Sequence, residues 1–396
     1  MNRLLVYMIA LGCFVVGTVE LVVAGILNSI ANDLHISIAL AGQLITAYSL
    51  AFAIGTPLLV AVTARMGRKS VLAGSLAVFV AGCLVSFGSP QYAVLLGSRV
   101  ILGLSAGVFS VVAIGSVAKL VPADKMGGAI STIALAFGSA LTFGVPLGIA
   151  IAGWWGWRGI FAVLAAVGLL IMLGMIRLLP HIEGDAPASL RQRFAVVGNP
   201  VIVSGLFLSF FMNMSNSVML TYLTPFLQTI FHLNVSDVGL MMLVLGVSGM
   251  IGSRFGGFGT DRWGAARMIS LGLTISAATV AIVPAFAAVP FAGLAIIALW
   301  MFSLFMTAPA LQTYFIQQAP QSSNFVLGVN TSIIHLGIAA GAGAGGLVAD
   351  ATSTVLHNSW IAGCTYVLGL GLAGVSFSLR KKIRFDAKRE VKFGNG

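Results

Sequence analysis

Apolar stretches of about 20 residues alternate with short polar interruptions along the whole chain of 396 residues. A helix of that length crosses a hydrocarbon core about 30 Å thick, and a backbone in lipid must satisfy its own hydrogen bonds, which favours helices. Breaks of Pro, Gly and charge predict twelve spans, at 5–31, 41–63, 70–89, 92–118, 128–152, 158–179, 201–228, 236–258, 266–288, 290–315, 325–349 and 359–379. The pattern therefore predicts an all-α polytopic membrane protein.

The longest polar interruption, residues 180–200, lies near the middle of the chain. It divides the spans into an N-terminal six-helix bundle, residues 1–179, and a C-terminal six-helix bundle, residues 201–379. A basic tail, residues 380–396, follows the last span. We expect the central loop and both termini to be cytoplasmic.

Composition agrees with a membrane protein, since 59% of the residues are hydrophobic and only 8% are charged. The net charge of +11 raises the possibility of a nucleic-acid partner. However, if the N-terminus is inside, nineteen basic residues fall on the inner side and only Arg158 falls outside. This distribution follows the positive-inside rule. The excess charge therefore indicates the cytoplasmic face and not nucleic acid, and the tail either meets anionic headgroups or is solvated alone.

The two halves of the sequence resemble each other at an offset of 197 residues. Residues 55–67 align with residues 252–264 without gaps, and the matched pairs are Gly55 with Gly252, Thr63 with Thr260, Arg65 with Arg262, and Gly67 with Gly264. The same offset aligns His35 with His232. Internal repeats of this kind are typical of secondary transporters whose halves move about a central site.

Glu20 is the acidic residue that lies deep inside a predicted span, more than ten residues from either end of 5–31. Burial penalises an ionised carboxylate, so a carboxyl at this depth can bind and release a proton as its helix is exposed to either side. Glu20 is thus a candidate proton-coupling residue or a ligand for a cationic or hydrogen-bonding substrate. The alternative is a permanently protonated side chain bonded to a neighbouring helix.

Arg99 is the basic residue that lies well within a span. An unpaired cation there is costly, so we expect Arg99 to face a polar interior, find a partner and tune the surroundings of Glu20. The alternative is that its side chain extends to the outer surface.

Spans 7, 10 and 11 carry amides and aromatic rings that suit a flat, neutral, hydrogen-bonding solute. The candidate substrate-binding residues are Asn213, Asn216, Tyr222, Trp300, Gln312, Asn330 and His335. Each of them alone is equally compatible with interhelical hydrogen bonding or core packing. His335 is also a second possible titrating group.

Two short loops carry a recognisable pattern of glycine and charge. Residues 60–69 and 257–267 resemble the signature loop of the major facilitator superfamily, Gly-x-x-x-Asp-Arg-x-Gly-x-Arg/Lys-Arg/Lys. The second copy matches at Gly257, Asp261, Arg262 and Gly264, and the first keeps Arg65, Gly67, Arg68 and Lys69 but has Val60 and Ala64 in place of Gly and Asp. Such loops can latch helix ends together, and the second copy is expected to contribute more. A tight cytoplasmic turn is the alternative.

Span 5 contains Gly144, Pro146 and Gly148. Proline bends the helix, and glycines four apart let a neighbour pack closely. The three residues are similar to the span-5 motif of proton-driven antiporters in the same superfamily. A simple bend without a coupling role is the alternative.

Nearly the whole chain resembles the drug:proton antiporter branch of that superfamily, and most of all its bacterial purine base and nucleoside efflux pumps. The resemblance is carried by residues 19–37, 41–59, 144–149, 309–320 and 330–346. It implies the major facilitator fold in a bacterial inner membrane and proton-coupled efflux by alternating access. Purine bases or nucleosides are the expected substrates, and arabinose or antibiotics such as chloramphenicol are alternatives.

Other function classes are less compatible with the sequence. A non-transporting membrane sensor is possible, but residues 380–396 are too short for a signalling domain. No enzyme is expected, since neither a metal-ligand cluster nor a Ser/His/acid set is evident. A phosphate-binding loop is absent, so ATP is not expected as the energy source. We therefore expect no cofactor or metal, a proton gradient as the driving force, and a monomer whose partners are the solute, protons and lipid.

Overall fold

The computed structural model describes residues 3–122, 125–184 and 198–393. These residues form fourteen α-helices, which we number in chain order. They are α1 Arg3–Gly25, α2 Leu27–Asp33, α3 Ile38–Thr63, α4 Arg68–Phe87, α5 Tyr92–Leu120, α6 Met126–Ser139, α7 Val145–Leu178, α8 Pro200–Thr221, α9 Leu223–Thr229, α10 Val235–Trp263, α11 Ala265–Ile282, α12 Pro290–Gln318, α13 Ser323–Thr352 and α14 Asn358–Phe393. We call α1–α7 the first half and α8–α14 the second half.

Eleven helical segments of the described chain are long and apolar enough to cross a membrane. One of them, Met126–Leu178, has 53 residues, which is enough for two crossings. It contains a π-helical turn at Ala140–Gly144 and a break at Gly156, whose φ of 75° lies outside the helical region. This break falls between the predicted spans 128–152 and 158–179. The chain is therefore a multi-pass all-helical membrane protein.

The predicted internal duplication is confirmed in the backbone. His35 and His232, paired by the offset of 197 residues, both have left-handed conformations, with φ of 52° and 55°. The same offset pairs Gly156 with Ser353, and these residues also have positive φ, 75° and 55°. Equivalent helices begin in register, since α3 and α10 start at Ile38 and Val235.

Two predicted spans are interrupted in the structure. The prediction of one continuous span over 5–31 was wrong, because α1 ends at Gly25 and α2 starts after Ile26, whose φ and ψ are −116° and 18°. Glu20 is consequently five residues from the end of α1 and not more than ten. The equivalent break in the second half lies at Tyr222, between α8 and α9.

The ends of the two halves also differ from the predicted boundaries. The last span was predicted to end at residue 379, whereas α14 continues to Phe393. Of the predicted central loop 180–200, residues 185–197 lie outside the described residues, and so do residues 394–396 of the predicted tail.

The first half is held together by close contact between α1 and the start of α7. A Cβ atom added to Gly144 would lie 2.3 Å from Oγ1 of Thr18, and one added to Gly148 would lie 2.2 Å from Cγ2 of Val22. Both distances are too short for a real side chain. The two glycines, four residues apart, therefore let α1 approach the backbone of its neighbour, as the sequence predicted.

The two halves contact each other mainly through α3 and α13. At the end of the molecule that carries Asp33, which we call the far end, Asn28 donates a hydrogen bond to Gln228 and Ser37 Oγ lies 3.4 Å from Asp350 Oδ2. Nearer the middle, Thr46 Oγ1 lies 3.4 Å from the carbonyl oxygen of Ala339.

Beyond the middle, α3 becomes more exposed. Its last turns, before the loop that carries Arg65 and Arg68, are largely exposed, at Pro57, Leu58, Leu59, Ala61 and Val62. We call this end of the molecule the basic end. The polar contacts between the halves named above therefore lie between the far end and the middle.

Candidate functional site

The carboxyl of Glu20 lies where the two halves meet. Its Oε1 atom is 3.3 Å from Nε2 of His335, so α1 of the first half and α13 of the second half contact each other through this pair. The side chain of Glu20 is 20% exposed and that of His335 is 9% exposed. The pair is therefore mostly buried, with some access for solvent at the carboxyl.

The ring of His335 is held in one orientation. It stacks on Phe52 of α3, with ring centroids 3.5 Å apart and planes inclined by 4°. Its Nδ1 atom is 3.0 Å from the carbonyl oxygen of Thr331. Because a carbonyl oxygen can only accept, Nδ1 carries a hydrogen. Nε2 lies 3.3 Å from Oε1 of Glu20 but makes no hydrogen bond within the described residues.

Arg99 lies behind this pair and is fully buried. Its Nη1 donates to the carbonyl oxygen of Val19 at 3.1 Å, its Nε lies 3.4 Å from the carbonyl oxygen of Leu44, and its guanidinium carbon lies 4.5 Å from the ring centroid of Tyr48. The side chain therefore faces the protein interior and does not extend to the surface. Tyr48 and Arg99 both lie within electrostatic range of Glu20.

Three helices of the second half are linked by a buried chain of hydrogen bonds. Nε1 of Trp300 donates to the hydroxyl of Tyr366 at 2.9 Å, and this hydroxyl donates in turn to Oδ1 of Asn216. Trp300 is fully buried. The polar groups of Asn216 and Trp300 thus bind Tyr366. These two candidate substrate ligands therefore connect helices inside the second half.

The other candidate ligands lie in different surroundings. Tyr222 donates to the carbonyl oxygen of Ala342 at 2.7 Å and fills the space where a side chain at Gly42 would lie. Asn213 is half-buried, and its Nδ2 donates to the carbonyl oxygen of Ser209 at 2.8 Å. Gln312 is exposed near the end of α12.

Asn330 is buried, and its Oδ1 has no hydrogen-bond partner in the described part of the chain. It lies on α13, five residues before His335. Of the candidate residues, the structure therefore brings Glu20, Arg99 and His335 together and places an unsatisfied amide on the same helix as His335.

The first signature loop is covered by the segment that follows α7. The backbone N–H of Arg68 donates to the carbonyl oxygen of Ile182 at 2.8 Å. Nζ of Lys119 donates to the carbonyl oxygens of Glu183 and Gly184 at 3.0 and 3.2 Å. Main-chain acceptors thus surround a loop that has Ala64 where the family pattern has an aspartate.

The second signature loop is exposed at Asp261, Arg262 and Gly264. Gly264 has a φ of 89°, a conformation that favours glycine, and it connects α10 to α11. Arg65 and Gly67 form the equivalent turn between α3 and α4.

An ion pair at the far end was not predicted from the sequence. Nη1 of Arg158 lies 2.5 Å from Oδ2 of Asp33, and its Nε and Nη2 donate to the carbonyl oxygen of Ser89. The same carboxylate oxygen accepts from Nε1 of Trp157 at 3.1 Å. These donors, Arg158 above all, lower the pKa of Asp33 below its ordinary value. The sequence signal was the isolated position of Arg158 outside the membrane.

Sequence reasoning also missed Tyr48 and Phe52, since aromatic residues at this spacing on an apolar helix look like core. It missed the bond between Asn28 and Gln228 as well, because their proximity depends on how the halves meet. These two amides line a cavity of about 150 Å³ between the halves, together with Thr224. Among the described residues, no group of three His, Cys, Asp or Glu side chains could hold a metal ion.

The family described as Major Facilitator Superfamily matches residues 9–342. The chain belongs to this superfamily. It is 35% identical over 371 residues to the uncharacterized MFS-type transporter YbcL of Bacillus subtilis, with 94% of this chain and 93% of the relative covered. It is 30% identical over 383 residues to the inner membrane transport protein YdhP of Escherichia coli K12, with 94% and 95% covered.

The fold is also that of a solved transporter. The crystal structure of a D-xylose-proton symporter matches with a TM-score of 0.79 at 19% identity, covering 93% of this chain and 96% of the symporter. The matched relatives are transporters, which agrees with the expectation that the chain is not an enzyme. The chain is thus a multi-pass transporter of the major facilitator superfamily.

Proposed function

We propose that this transporter is an antiporter of a bacterial inner membrane, in which protons moving inward drive a small solute outward by alternating access. The proposal includes twelve crossings, six in each half, with Met126–Leu178 counted as two. It also places both termini in the cytoplasm, because the basic residues then lie on the inner side. The protein would act as a monomer without cofactors.

The observation that carries the proposal is the position of Glu20 at the contact between the halves. A carboxyl there changes its surroundings whenever the halves separate or close, which is what a coupling residue requires. Arg99 donates to the carbonyl oxygen of Val19, the residue before Glu20, and so places a buried positive charge near the carboxyl. Its field would influence when the carboxyl binds or releases its proton.

We assign the basic end to the cytoplasm, because the basic residues lie there. The solute would then reach the middle of the protein from the cytoplasm and leave after the far end opens. The bond between Asn28 and Gln228, which joins the halves at that far end, would have to break when it opens. The motif at Gly144, Pro146 and Gly148 would keep α1 and α7 moving as one body.

We propose a purine base or nucleoside as the solute. Phe52 and His335 stack on each other where the halves meet, a contact that a flat solute would replace, and Asn213, Asn330 and exposed Gln312 offer hydrogen-bonding amides on the second half. Asn216, Trp300 and Tyr222, which bind neighbouring helices, would hold the helices that carry these amides in place. Arabinose or an antibiotic such as chloramphenicol is the alternative, since amides and rings also suit those molecules.

Counterflow in proteoliposomes tests both parts of the proposal. Labelled hypoxanthine, adenosine, arabinose and chloramphenicol would be compared at several internal and external pH values. We expect one of the purines to exchange, and we expect Glu20→Gln to keep exchange but lose uphill transport driven by a pH gradient. Glu183→Gln, which changes an exposed carboxyl at the basic end, is the matched control and should behave as wild type.

A Glu20→Gln variant that still transported uphill with normal pH dependence would contradict the coupling role. Binding of a solute without any counterflow would favour the rival function, a membrane sensor that does not transport. If only arabinose or chloramphenicol were exchanged, the proposed substrate would be wrong, whereas the proposed mechanism would stand.

A further inference from the structure

We infer that the cavity between the halves at the far end is a second binding site, and that its ligand is a small uncharged molecule with an N–H or O–H donor. The candidate substrate-binding residues, all of which the structure describes, lie outside the lining of this cavity. The site is therefore separate from the proposed solute site. The inference uses neither the proposed substrate nor the direction of transport.

The cavity lies beside the two helix breaks. Ile26, at the break between α1 and α2, lines it from the first half, and Thr224, two residues after the break at Tyr222, lines it from the second half. Its volume is about 150 Å³. A cavity of that size accommodates a molecule of about six non-hydrogen atoms, the size of benzene. One small ligand would therefore contact both halves at once.

Two polar atoms of the lining residues have no partner. Thr224 is only 3% exposed, and its Oγ1 makes no hydrogen bond within the described residues. Oδ1 of Asn28 is buried and unpartnered there as well, since the bond to Gln228 uses Nδ2. Buried polar atoms without partners are costly, and an amide oxygen can only accept. A ligand that donates to Asn28 and bonds the hydroxyl of Thr224 would satisfy one group of each half.

The rest of the lining favours a neutral ligand with a hydrocarbon part. Ile26, Ile149 and Val238 contribute buried apolar side chains, and none of the described residues that line the cavity is charged. An ion placed there would lose its hydration without gaining a counter-charge. The lining therefore suits a neutral amide or alcohol with a short branched chain.

A ligand in this position would hold the far end together. Its contacts would include Asn28 of α2 and Ile149 of α7 in the first half, and Thr224 of α9 and Val238 of α10 in the second half. Alternating access requires the halves to separate at this end. An occupied cavity should therefore slow transport, whatever the solute is.

Protection of a cysteine from alkylation tests the inference. Ser29→Cys places a thiol at an exposed position of the lining, in a background where Cys13, Cys83 and Cys364 are replaced by alanine. The protein in lipid nanodiscs would react with N-ethylmaleimide in the presence of isobutyramide, its isomer dimethylacetamide, or isobutyrate. These probes have similar size, but dimethylacetamide has no N–H and isobutyrate is charged.

We expect isobutyramide to slow the alkylation of Ser29→Cys and isobutyrate to leave it unchanged. Dimethylacetamide should bind about twofold to tenfold more weakly than isobutyramide, because it cannot donate to Asn28. Gln91→Cys, at an exposed position in the far-end loop between α4 and α5, is the control outside the lining. Its rate of alkylation should be the same with every probe.

Thr224→Val identifies the hydroxyl that binds the ligand. Valine has the shape of threonine, and the lost Oγ1 has no partner in the described chain, so the thermal midpoint without ligand should not fall. Protection of Ser29→Cys should need about twofold to tenfold more isobutyramide. Thr279→Val, whose Oγ1 donates to the carbonyl oxygen of Ile275 in α11, is the matched control and should leave protection unchanged.

Failure of isobutyramide to protect Ser29→Cys up to its solubility limit would mean that water alone fills the cavity, and would overturn the inference. Equal protection by the two isomers, protection of Gln91→Cys, or an unchanged requirement in Thr224→Val would also contradict it. None of these results bears on counterflow, which tests the proposed function separately.

Discussion

Arg99 shows how the chain accommodates a fully buried guanidinium. Its donors reach carbonyl oxygens of α1 and α3 while the side chain starts from α5, so one residue links three helices next to Glu20. The planar fork of arginine and its contact with the Tyr48 ring are not available to lysine, whose charge is compact and strongly hydrated.

We therefore expect Arg99→Lys to destabilise the protein although the charge is conserved. The loss of the carbonyl contacts should lower the free energy of unfolding in detergent by about 1–3 kcal/mol. Arg267→Lys, at an exposed position, is the control and should change stability little. Equal stability of the two variants would show that the fork geometry of Arg99 is not needed.

Asp33 gives a pH-dependent prediction outside the membrane. Since its pKa is lowered in the folded protein, the stability it contributes is complete above the ordinary aspartate value of about 3.9 and is lost as the pH falls through the lower folded value. Asp33→Asn should therefore lower the thermal midpoint at neutral pH. The corresponding loss in the free energy of unfolding should be below about 1 kcal/mol, because the pair is partly exposed. The difference from wild type should disappear in strong acid.

Circular dichroism melts of wild type and Asp33→Asn across this pH range make the measurement. Glu183→Gln, at an exposed carboxyl outside this ion pair, is the control for the loss of one carboxylate. A constant difference between wild type and Asp33→Asn down to the lowest pH would contradict the assignment.

The contact between α1 and α7 depends on two glycines that leave no room for a methyl group. Gly148 meets Val22, and Gly144 meets Thr18. The π-helical turn just before α7 and the proline at its start locally change the direction of this segment. The motif that the sequence associates with antiporters is thus, at the level of helices, a close helix contact beside Glu20.

Gly148→Ala should separate the two helices, with a cost of about 1–3 kcal/mol in unfolding free energy. Val22→Ala in the same chain removes the opposing methyl groups and should recover part of this loss, which a double-mutant cycle would measure. Gly138→Ala is the matched control, because nothing lies within 4 Å of the added Cβ. Additive effects of Gly148→Ala and Val22→Ala would mean that the two residues do not share this contact.

The two halves meet mainly along α3 and α13. A Cβ added to Gly343 of α13 would lie 3.8 Å from Oγ1 of Thr46 of α3, and this approach belongs to the contact that closes toward the far end. Alternating access requires this contact to separate during each cycle.

Thr46→Cys with Gly343→Cys, in the cysteine-free background, should form a disulfide on mild oxidation, because a Cβ atom added at Gly343 lies 3.8 Å from Oγ1 of Thr46. The crosslinked protein should lose counterflow, and reduction should restore it. Each single cysteine variant is a control that should be insensitive to oxidation. Full counterflow by the crosslinked protein would show that α3 and α13 stay together during transport.

Hydropathy by itself determined that the chain is a helical, multi-pass membrane protein with a duplicated sequence, and the distribution of charge predicts its orientation. Those features follow locally, because each span must be long and apolar enough for lipid and each loop must carry its own charge. The sequence also selected Glu20 and Arg99, since ionisable side chains are rare within a span. It could not find the breaks at Ile26 and Tyr222, which interrupt apolar runs without a change in composition.

Only the tertiary structure decided which residues meet. The approach of His335 to Glu20, the stacking on Phe52 and the use of Trp300 and Asn216 to bind Tyr366 all join helices that are distant in sequence. The sequence does not distinguish the possible roles of these polar groups. An amide or ring that contacts a solute and one that contacts a neighbouring helix have the same chemistry. Where the halves touch follows from the packing of complete bundles and not from any single span.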